Sequence, residues 1–306
     1  ITPASEVMAI LCMAKDRNDL KEKLGNILVG FTYAKQPVYA RDLKAENAMA
    51  ILLKDAKQPN LVQTLEESPA IIHGGPFANI AQGTNTLVAT KMGLSLSKYV
   101  VTEAGFGADL GAEKFLNIKC VAGGLKPSAI VVVATIRALR HHGGAPKAEY
   151  NTPSLERVQQ GFANLQKHLE NCQTFGITPT VAINAFPSDT EEEVAFIQAQ
   201  CEAMGIQAVV AHGWAKGGAG MTDLAQAVID QVESGTADFQ PLYDWDLPIR
   251  EKIDRIAKTI YGADEVIYAK KALLGLKRIA RLGLEHLPVC MAKTQKSFSD
   301  NDKLLG

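Results

Sequence analysis

The second half of the chain alternates amphipathic helical stretches with short apolar runs. Ser154 caps a stretch whose apolar residues recur at steps of three and four, which is typical of one face of a helix. The runs Thr180–Ile183 and Ala208–Ala211 predict strands, and Met221–Val232 predicts another helix. Helices that alternate with strands in this way predict an α/β fold with a parallel sheet and right-handed crossovers.

Two further features refine this α/β region. Ser128–Ala134 is an unbroken run rich in β-branched residues, which predicts a strand buried on both faces of the sheet. Ser188 and Glu191 stand three residues apart before a helical pattern. That spacing predicts a capping box at the start of the helix.

The first half and the end of the chain are less regular. Residues 1–30 and Asp42–Lys54 have helical periodicity, and Ala70–Ile72 predicts a short buried strand. Towards the end, Ile249–Ile260 and Ala269–Leu282 predict amphipathic helices. A last short strand is predicted at 288–291.

A glycine loop follows the apolar segment Tyr99–Thr102, which predicts a strand. Gly105 and Gly107 would let the backbone approach a ligand, and a helix predicted to open near Asp109 would offer free N–H groups to an anion. The spacing misses the dinucleotide-binding fingerprint by one residue. Glu103 and Asp109 flank the loop, so a cation between them is one hypothesis. A tight turn that packs a helix on a sheet is the alternative.

Two aromatic residues each follow a predicted strand. Phe186 comes just after Thr180–Ala185 and Trp214 just after Ala208–Ala211. In a parallel sheet both loops leave the same edge, where ligands of open α/β sheets bind, so the two rings could clamp a planar heterocycle. Two core aromatics are the alternative, but Trp214 lies among polar residues and glycines. Asn184, on the same edge, could hydrogen bond to adenine through its amide.

The histidines give weaker signals. His73 follows a predicted strand, and such a residue is more often hydrogen bonded for structure than catalytic. His141 and His142 are adjacent, so their side chains point in different directions and a shared metal ion is not expected. No metal site is assigned from the sequence.

Composition narrows the function classes. The chain has 306 residues, 47% of them hydrophobic and 21% charged, which is enough for a large core. Its net charge of −1 argues against nucleic acid or an acidic membrane as partner, and no apolar run approaches the length of a membrane span. Five dispersed cysteines are typical of reduced thiols in the cytosol, so a cytoplasmic location is expected.

Several motifs together resemble a known family. They include the glycine-loop run GFGADLGAEKF, which ends at Phe115, and the runs INAF and WAKGG, which contain Phe186 and Trp214. Further runs are PNLVQTLE, HGGPFANIAQG and MAKTQKSFSD. In this order and from end to end, the chain resembles formate–tetrahydrofolate ligase (10-formyltetrahydrofolate synthetase), and more the bacterial single-function enzyme than the multifunctional one. The family usually has a histidine where this chain has Gln82.

The resemblance implies a domain plan. Residues 1–153 would be the remainder of a P-loop NTPase-like large domain that binds nucleotide. Residues 154–258 would form a Rossmann-like α/β domain, and 259–306 would begin a truncated third domain. No G-x-x-x-x-G-K-[ST] motif occurs in the chain. The resemblance therefore implies a fragment that lacks an N-terminal P-loop segment and the C-terminal end.

The resemblance also implies a reaction and its residues. It implies ATP-dependent ligation of formate to tetrahydrofolate through formyl phosphate, with magnesium accompanying ATP and a monovalent cation such as potassium or ammonium as activator. Glu103, Gly105, Phe106 and Gly107 would serve the phosphate or formyl side of the reaction. Phe186 and Trp214 would hold folate, and Asn184 would contact the nucleotide. A homo-oligomer, by resemblance a tetramer, is expected.

Two functions remain open at this point. The chain is either the middle and rear portion of an active ligase, completed by the missing front segment, or a folate- or nucleotide-binding module without turnover. The absence of a P-loop lysine favours the second for the chain by itself, because ATP phosphates would be bound poorly.

Overall fold

A computed structural model describes residues 5–78, 81–293, 298–299, 301 and 303–305. In chain order its helices are α1 (Glu6–Met13), α2 (Arg17–Gly25), α3 (Glu46–Leu52), α4 (Leu87–Leu96), α5 (Val121–Gly123), α6 (Ile136–His142), α7 (Leu155–Gln173), α8 (Glu191–Ala203), α9 (Gly213–Lys216), α10 (Thr222–Ser234), α11 (Ile249–Arg255) and α12 (Lys270–Arg281). Its strands are β1 (Leu28–Phe31), β2 (Pro37–Tyr39), β3 (Asn60–Gln63), β4 (Pro69–Ile72), β5 (Val131–Ala134), β6 (Thr180–Asn184) and β7 (Ala208–Ala211). None of these helices is long and apolar enough to cross a bilayer.

The chain divides into two compact units. The first comprises Ile1–Leu125, Tyr243–Lys258 and Gly262–Lys293, and the second comprises Lys126–Leu242 with 259–261 and 294–306. Compactness does not show which segments fold independently, so the sequence-based division at 153 and 258 stays a prediction.

The second unit contains the predicted parallel sheet. Within the described residues the strands lie in the order β5-β6-β7, and both neighbouring pairs are parallel. Val181 and Ile183 of β6 pack into a core with α6, α7 and α8, whereas Ala182 and Ala211 face Leu224 of α10 on the opposite side. Helices therefore cover both faces of the central strand, and the α/β prediction is confirmed.

The prediction that Ser128–Ala134 is buried on both faces is wrong. Ala134 and Val132 contribute to the core, but Val131 and Val133 point the other way, and Val133 is 67% exposed. The reason is that α10 packs on β6 and β7. β5 lies at one end of the sheet beyond that cover.

The first unit is built from helices and two antiparallel hairpins within the described residues. α1, α2 and α3 pack around Leu11, Leu20 and Leu24. β1 pairs with β2, and β3 pairs with β4. The short strand predicted at Ala70–Ile72 is present as part of β4, but Ile72 is exposed and not buried. Successive side chains of a strand point to opposite faces, and Ile71 is the one that lies beside α4.

Two predicted strands are absent from the described residues. Tyr99–Thr102 and 288–291 run without strand assignment. Apolar residues alone do not make a strand, because a ladder needs a partner strand to receive its backbone hydrogen bonds. Within the described residues, neither segment is paired with a strand.

Candidate active site

The glycine loop of the first unit needs its glycines for identifiable reasons. Gly105 has φ +83° and Gly107 has φ +65°, a region that L side chains rarely adopt. A Cβ on Gly111 would lie 2.2 Å from the carbonyl oxygen of Ala104 and 2.4 Å from that of Gly105. The third glycine therefore lets the helix begin directly against the loop.

The helix after the loop runs from Gly107 to Gly123 and contains two π-helical segments, Gly107–Ala112 and Phe115–Cys120. π-Helical segments are rare in proteins overall, and those that occur are often found at functional sites. The predicted helix opening near Asp109 is thus present and begins two residues earlier. The first N–H groups of such a helix have no partner within the helix, and N–H groups at a helix start can bind an anion.

Buried charges line this helix. Burial raises the pKa of Glu113 to about 7, although a hydrogen bond from Asn117 acts in the opposite direction. Burial lowers the pKa of Lys119 to about 8, and its ammonium group donates to the side-chain oxygen of Asn85 at 2.6 Å. Asn85 in turn donates to Thr102 at 3.0 Å. Lys119 of this helix is therefore linked through Asn85 to Thr102, in the segment that leads into the glycine loop.

The two acids that flank the loop have different surroundings. Asp109 is buried, and its carboxylate accepts from Lys293 Nζ at 3.0 Å. Glu103 is exposed, as is Phe106, with 81% of its surface accessible. Because Lys293 balances the charge of Asp109, the repulsion that this acid would exert on an anion at the helix start is reduced.

His73 lies buried in the first unit with both ring nitrogens engaged. Nδ1 is 2.7 Å from the Thr86 hydroxyl, and Nε2 is 2.8 Å from the carbonyl oxygen of Ala56. Thr86 also caps α4 by accepting from the Ala89 N–H. Burial lowers the pKa of His73, so the neutral ring is favoured. These contacts give His73 a structural position at the start of α4.

In the second unit, the structure brings Phe186 and Trp214 together. Their ring centroids are 6.2 Å apart, and the planes are inclined by 43°. The roots of the two loops are neighbours, since Asn184 pairs with Ala211 and the Ala185 N–H donates to the Ala211 carbonyl at 3.1 Å. We call this aromatic pair the slot. A flat ring between parallel planes needs about 7 to 8 Å, so the slot must open by about 1 Å or more.

The two walls of the slot differ in how firmly they are held. Trp214 lies on the short helix α9 and is 68% exposed. Phe186 is half-buried, and its N–H donates to the Asp189 carboxylate at 2.8 Å while the Asp189 N–H donates back to the Phe186 carbonyl at 3.0 Å. Rotation of Trp214 is therefore the simpler way to widen the slot.

A buried arginine holds the turn that carries Phe186. Arg140 donates to the Ser188 carbonyl at 3.1 Å and lies 3.7 Å from the Asp189 carboxylate. It also makes a bidentate pair with Glu193, at 2.9 and 2.6 Å. Side chains from α6 and α8 thus fix the turn between β6 and α8.

The capping box was predicted two residues too early. The structure has it at Thr190 and Glu193, not at Ser188 and Glu191. Both pairs fit the sequence spacing, but Arg140 binds the carboxylate of Glu193 and thereby selects the later pair. The Ser188 carbonyl is instead an acceptor for Arg140.

The ionised carboxylate of Glu193 should make the stability of the fold around the slot sensitive to acid. Burial would raise the pKa of Glu193, but hydrogen bonds from Arg140, the Ser154 N–H and Thr190 outweigh it and lower the pKa to about 2. A lowered pKa means that the ionised form stabilises the fold above the ordinary value of 4.5, and that this contribution is lost as pH falls towards 2. We expect the free energy of unfolding to fall across this window. In Glu193→Gln the slope should be shallower, and an unchanged slope would contradict the assignment.

Asn184 ends β6, and its side-chain amide makes no hydrogen bond with any other described residue. The amide is therefore available to a ligand at the carboxyl edge of the sheet. Across the described part of the chain, no three His, Cys, Asp or Glu side chains are arranged to hold a metal ion. His141 contacts the Tyr150 hydroxyl instead, at 2.6 Å.

The sequence reasoning missed the residues that support the site. These are Lys293, Arg140 and Glu193, whose contacts join distant residues, and Asp189, which contacts both distant Arg140 and nearby Phe186. For Asp189 a local signal existed, because Asp is favoured in turns, where its side chain hydrogen bonds to nearby backbone groups.

The fold contains an open parallel α/β sheet, and proteins of this class bind ligands at the carboxyl ends of the strands. Comparison with known families then identifies it further. The family model for formate–tetrahydrofolate ligase matches residues 1–306, and the chain belongs to that family. Membership implies ATP-dependent ligation of formate to tetrahydrofolate, with formate, tetrahydrofolate and ATP as substrates.

Proposed function

We propose that the chain supplies the folate slot and the anion-binding loop of a formate–tetrahydrofolate ligase that works through formyl phosphate. The observation that carries the proposal is the aromatic pair Phe186 and Trp214 on neighbouring strand ends, 6.2 Å apart. A pterin is flat and matches such a pair. Core packing does not explain the pair, because Trp214 is largely exposed.

The chemistry follows from the poor reactivity of formate. A formate oxygen attacks the γ-phosphorus of ATP and ADP leaves, which gives formyl phosphate. N10 of tetrahydrofolate then attacks the formyl carbon, the bond from that carbon to the phosphate oxygen breaks, and N10 loses its proton. The protein must hold the reactants in position and offset negative charge.

Each residue has a proposed role in this scheme. The N–H groups at the loop of Gly105, Phe106 and Gly107 would donate to the phosphate or formyl oxygens. Phe186 and Trp214 would hold the pterin, and Asn184 would donate to or accept from adenine. The lysine partner of Asp109 supports the anion role of the loop, because it leaves the helix start less negative.

Cations enter the proposal through the substrates. Magnesium would arrive with the ATP phosphates, since it keeps several waters and binds through few carboxylates. Glu103 is exposed and able to contact its hydration shell, whereas Asp109 is already paired with Lys293. We also propose activation by a monovalent cation such as potassium or ammonium, to which no site is assigned. A tetrameric assembly and a cytoplasmic location are further parts of the proposal.

The second candidate function is binding of folate or nucleotide without turnover. It is favoured by one observation, the absence of a P-loop motif from the 306 residues. The discriminating experiment measures formation of 10-formyltetrahydrofolate by this chain with ATP, formate and tetrahydrofolate. We expect tetrahydrofolate to bind and turnover to require a further segment that supplies the P-loop. Turnover by the chain alone, at the rate of a complete ligase, would contradict that requirement.

A substitution in the loop tests its proposed role. Gly107→Val places a β-branched residue at φ +65° at the helix start. The completed enzyme is this chain together with the proposed segment that supplies the P-loop. We expect its rate of ligation to fall on the order of 100-fold, because a displacement of about 1 Å has that effect on a positioned reaction.

The matched control is Gly124→Val. Gly124 has φ +64° at the end of the same helix, with open space around its Cβ position. Both variants carry similar backbone strain, so a comparable loss of stability is expected. If both lose activity equally, or if Gly107→Val stays active, the loop is a packing turn only.

A further inference from the structure

Arg137 of α6 lies against the ring of Phe186. Its guanidinium carbon is 4.1 Å from the ring centroid. Its Nε is buried and has no hydrogen-bond partner among the described residues. A buried N–H group without a partner is unfavourable, so hydrogen bonding does not explain this position. The stacked contact with Phe186 does, because a planar guanidinium packs well on an aromatic face.

A second arginine of the same helix reaches the backbone of the same turn. Arg140 follows Arg137 by three residues, so both side chains lie on neighbouring parts of one helix face. Arg140 holds Ser188 and Asp189, and Asp189 accepts from the N–H of Phe186. α6 therefore holds both the ring and the backbone of this one residue.

We propose that Arg137 is a positioning residue that fixes the plane of Phe186 in the folate slot. This inference rests on the proposed function of the slot. Phe186 then acts as the fixed wall, whereas the exposed Trp214 adjusts to the ligand. A wall that is ordered before binding does not lose side-chain freedom when the pterin enters, so tetrahydrofolate binds more tightly.

The expected effect is modest and selective. Arg137→Ala should weaken tetrahydrofolate binding about 2- to 10-fold, which corresponds to the ordering of one side chain. In the completed enzyme the KM for tetrahydrofolate should rise while kcat and the KM for ATP stay unchanged. Arg278→Ala is the matched control, because it removes a similar arginine–ring contact, over Phe31 at 5.1 Å, in the other unit.

A double-mutant cycle distinguishes positioning from direct contact. Calorimetry would measure tetrahydrofolate binding to this chain and to Arg137→Ala, Phe186→Ala and the double variant. If Arg137 acts through Phe186, its removal should have no effect once Phe186 is absent. If Arg137 binds an anionic group of folate directly, the two losses should add, and the proposal is overturned.

The remaining outcomes separate this inference from the proposed function. If Phe186→Ala weakens binding but Arg137→Ala does not, the positioning role is wrong and the folate slot stands. If Phe186→Ala leaves binding unchanged, the slot is not the folate site and both are wrong. Melting temperatures check that each variant is folded. If Arg137→Ala is unfolded, Arg137→Met replaces it, because methionine keeps an unbranched side chain of similar reach. The tetrahydrofolate affinity of Arg137→Met should lie between those of the parent and Phe186→Ala.

Discussion

Replacing Trp214 by alanine should raise the tetrahydrofolate requirement about 5- to 150-fold, because loss of one stacked ring is worth about 1–3 kcal/mol by alanine substitution. The KM for ATP should change little. Trp214 is largely exposed on a four-residue helix, so its truncation leaves no large cavity and little loss of stability is expected. The measurement is the KM for each substrate in the completed enzyme, with calorimetric binding of tetrahydrofolate to this chain alongside it.

Trp245 supplies the control for that experiment. Its indole N–H donates to the Asn117 carbonyl at 2.9 Å in the first unit, so it has a structural role. Trp245→Phe should reduce stability and leave the tetrahydrofolate KM unchanged, while Trp214→Phe should retain part of the affinity lost in Trp214→Ala. An unchanged KM in Trp214→Ala would show that this ring is not a wall of the folate site.

The slot could be predicted because its geometry is mainly topological. Parallel strands place their following loops on one edge, so two aromatics just after neighbouring strands must lie near each other. What the sequence does not contain is the adjacency of β6 and β7 in the sheet, or the 43° inclination of the rings. Those depend on the turn at Asp189 and on α6, which are fixed by contacts between distant residues.

The structural features that differ from the sequence-based predictions have the same origin. Tyr99–Thr102 has the composition of a strand, but strand formation depends on a partner that composition cannot supply. The exposed side of β5 was missed because burial depends on where α10 packs. Local spacing predicts a capping box at Ser188 and Glu191, because it does not show which glutamate will contact Arg140.

Arg140 is the second position where a large effect is expected. Arg140→Ala should lower the free energy of unfolding by about 3–5 kcal/mol, because removing one partner of a buried ion pair leaves the other charge uncompensated. Arg140 and Glu193 are both fully buried, and the arginine also donates to the Tyr150 carbonyl at 2.9 Å. Denaturant unfolding of the 306-residue chain measures this loss.

Two comparisons test whether the loss of stability comes from the uncompensated charge of Glu193. Lys258→Ala removes an exposed pair with Asp254 at 2.8 Å and should change stability by at most about 1 kcal/mol. The double variant Arg140→Met with Glu193→Gln removes both charges of the bidentate pair and leaves only Asp189 without Arg140, so it should be more stable than Arg140→Ala. Tetrahydrofolate affinity should fall in both variants that lack Arg140, because the turn of Phe186 loses its anchor. If Arg140→Ala unfolds like the parent and binds tetrahydrofolate equally well, the buried pair neither stabilises the unit nor holds the slot.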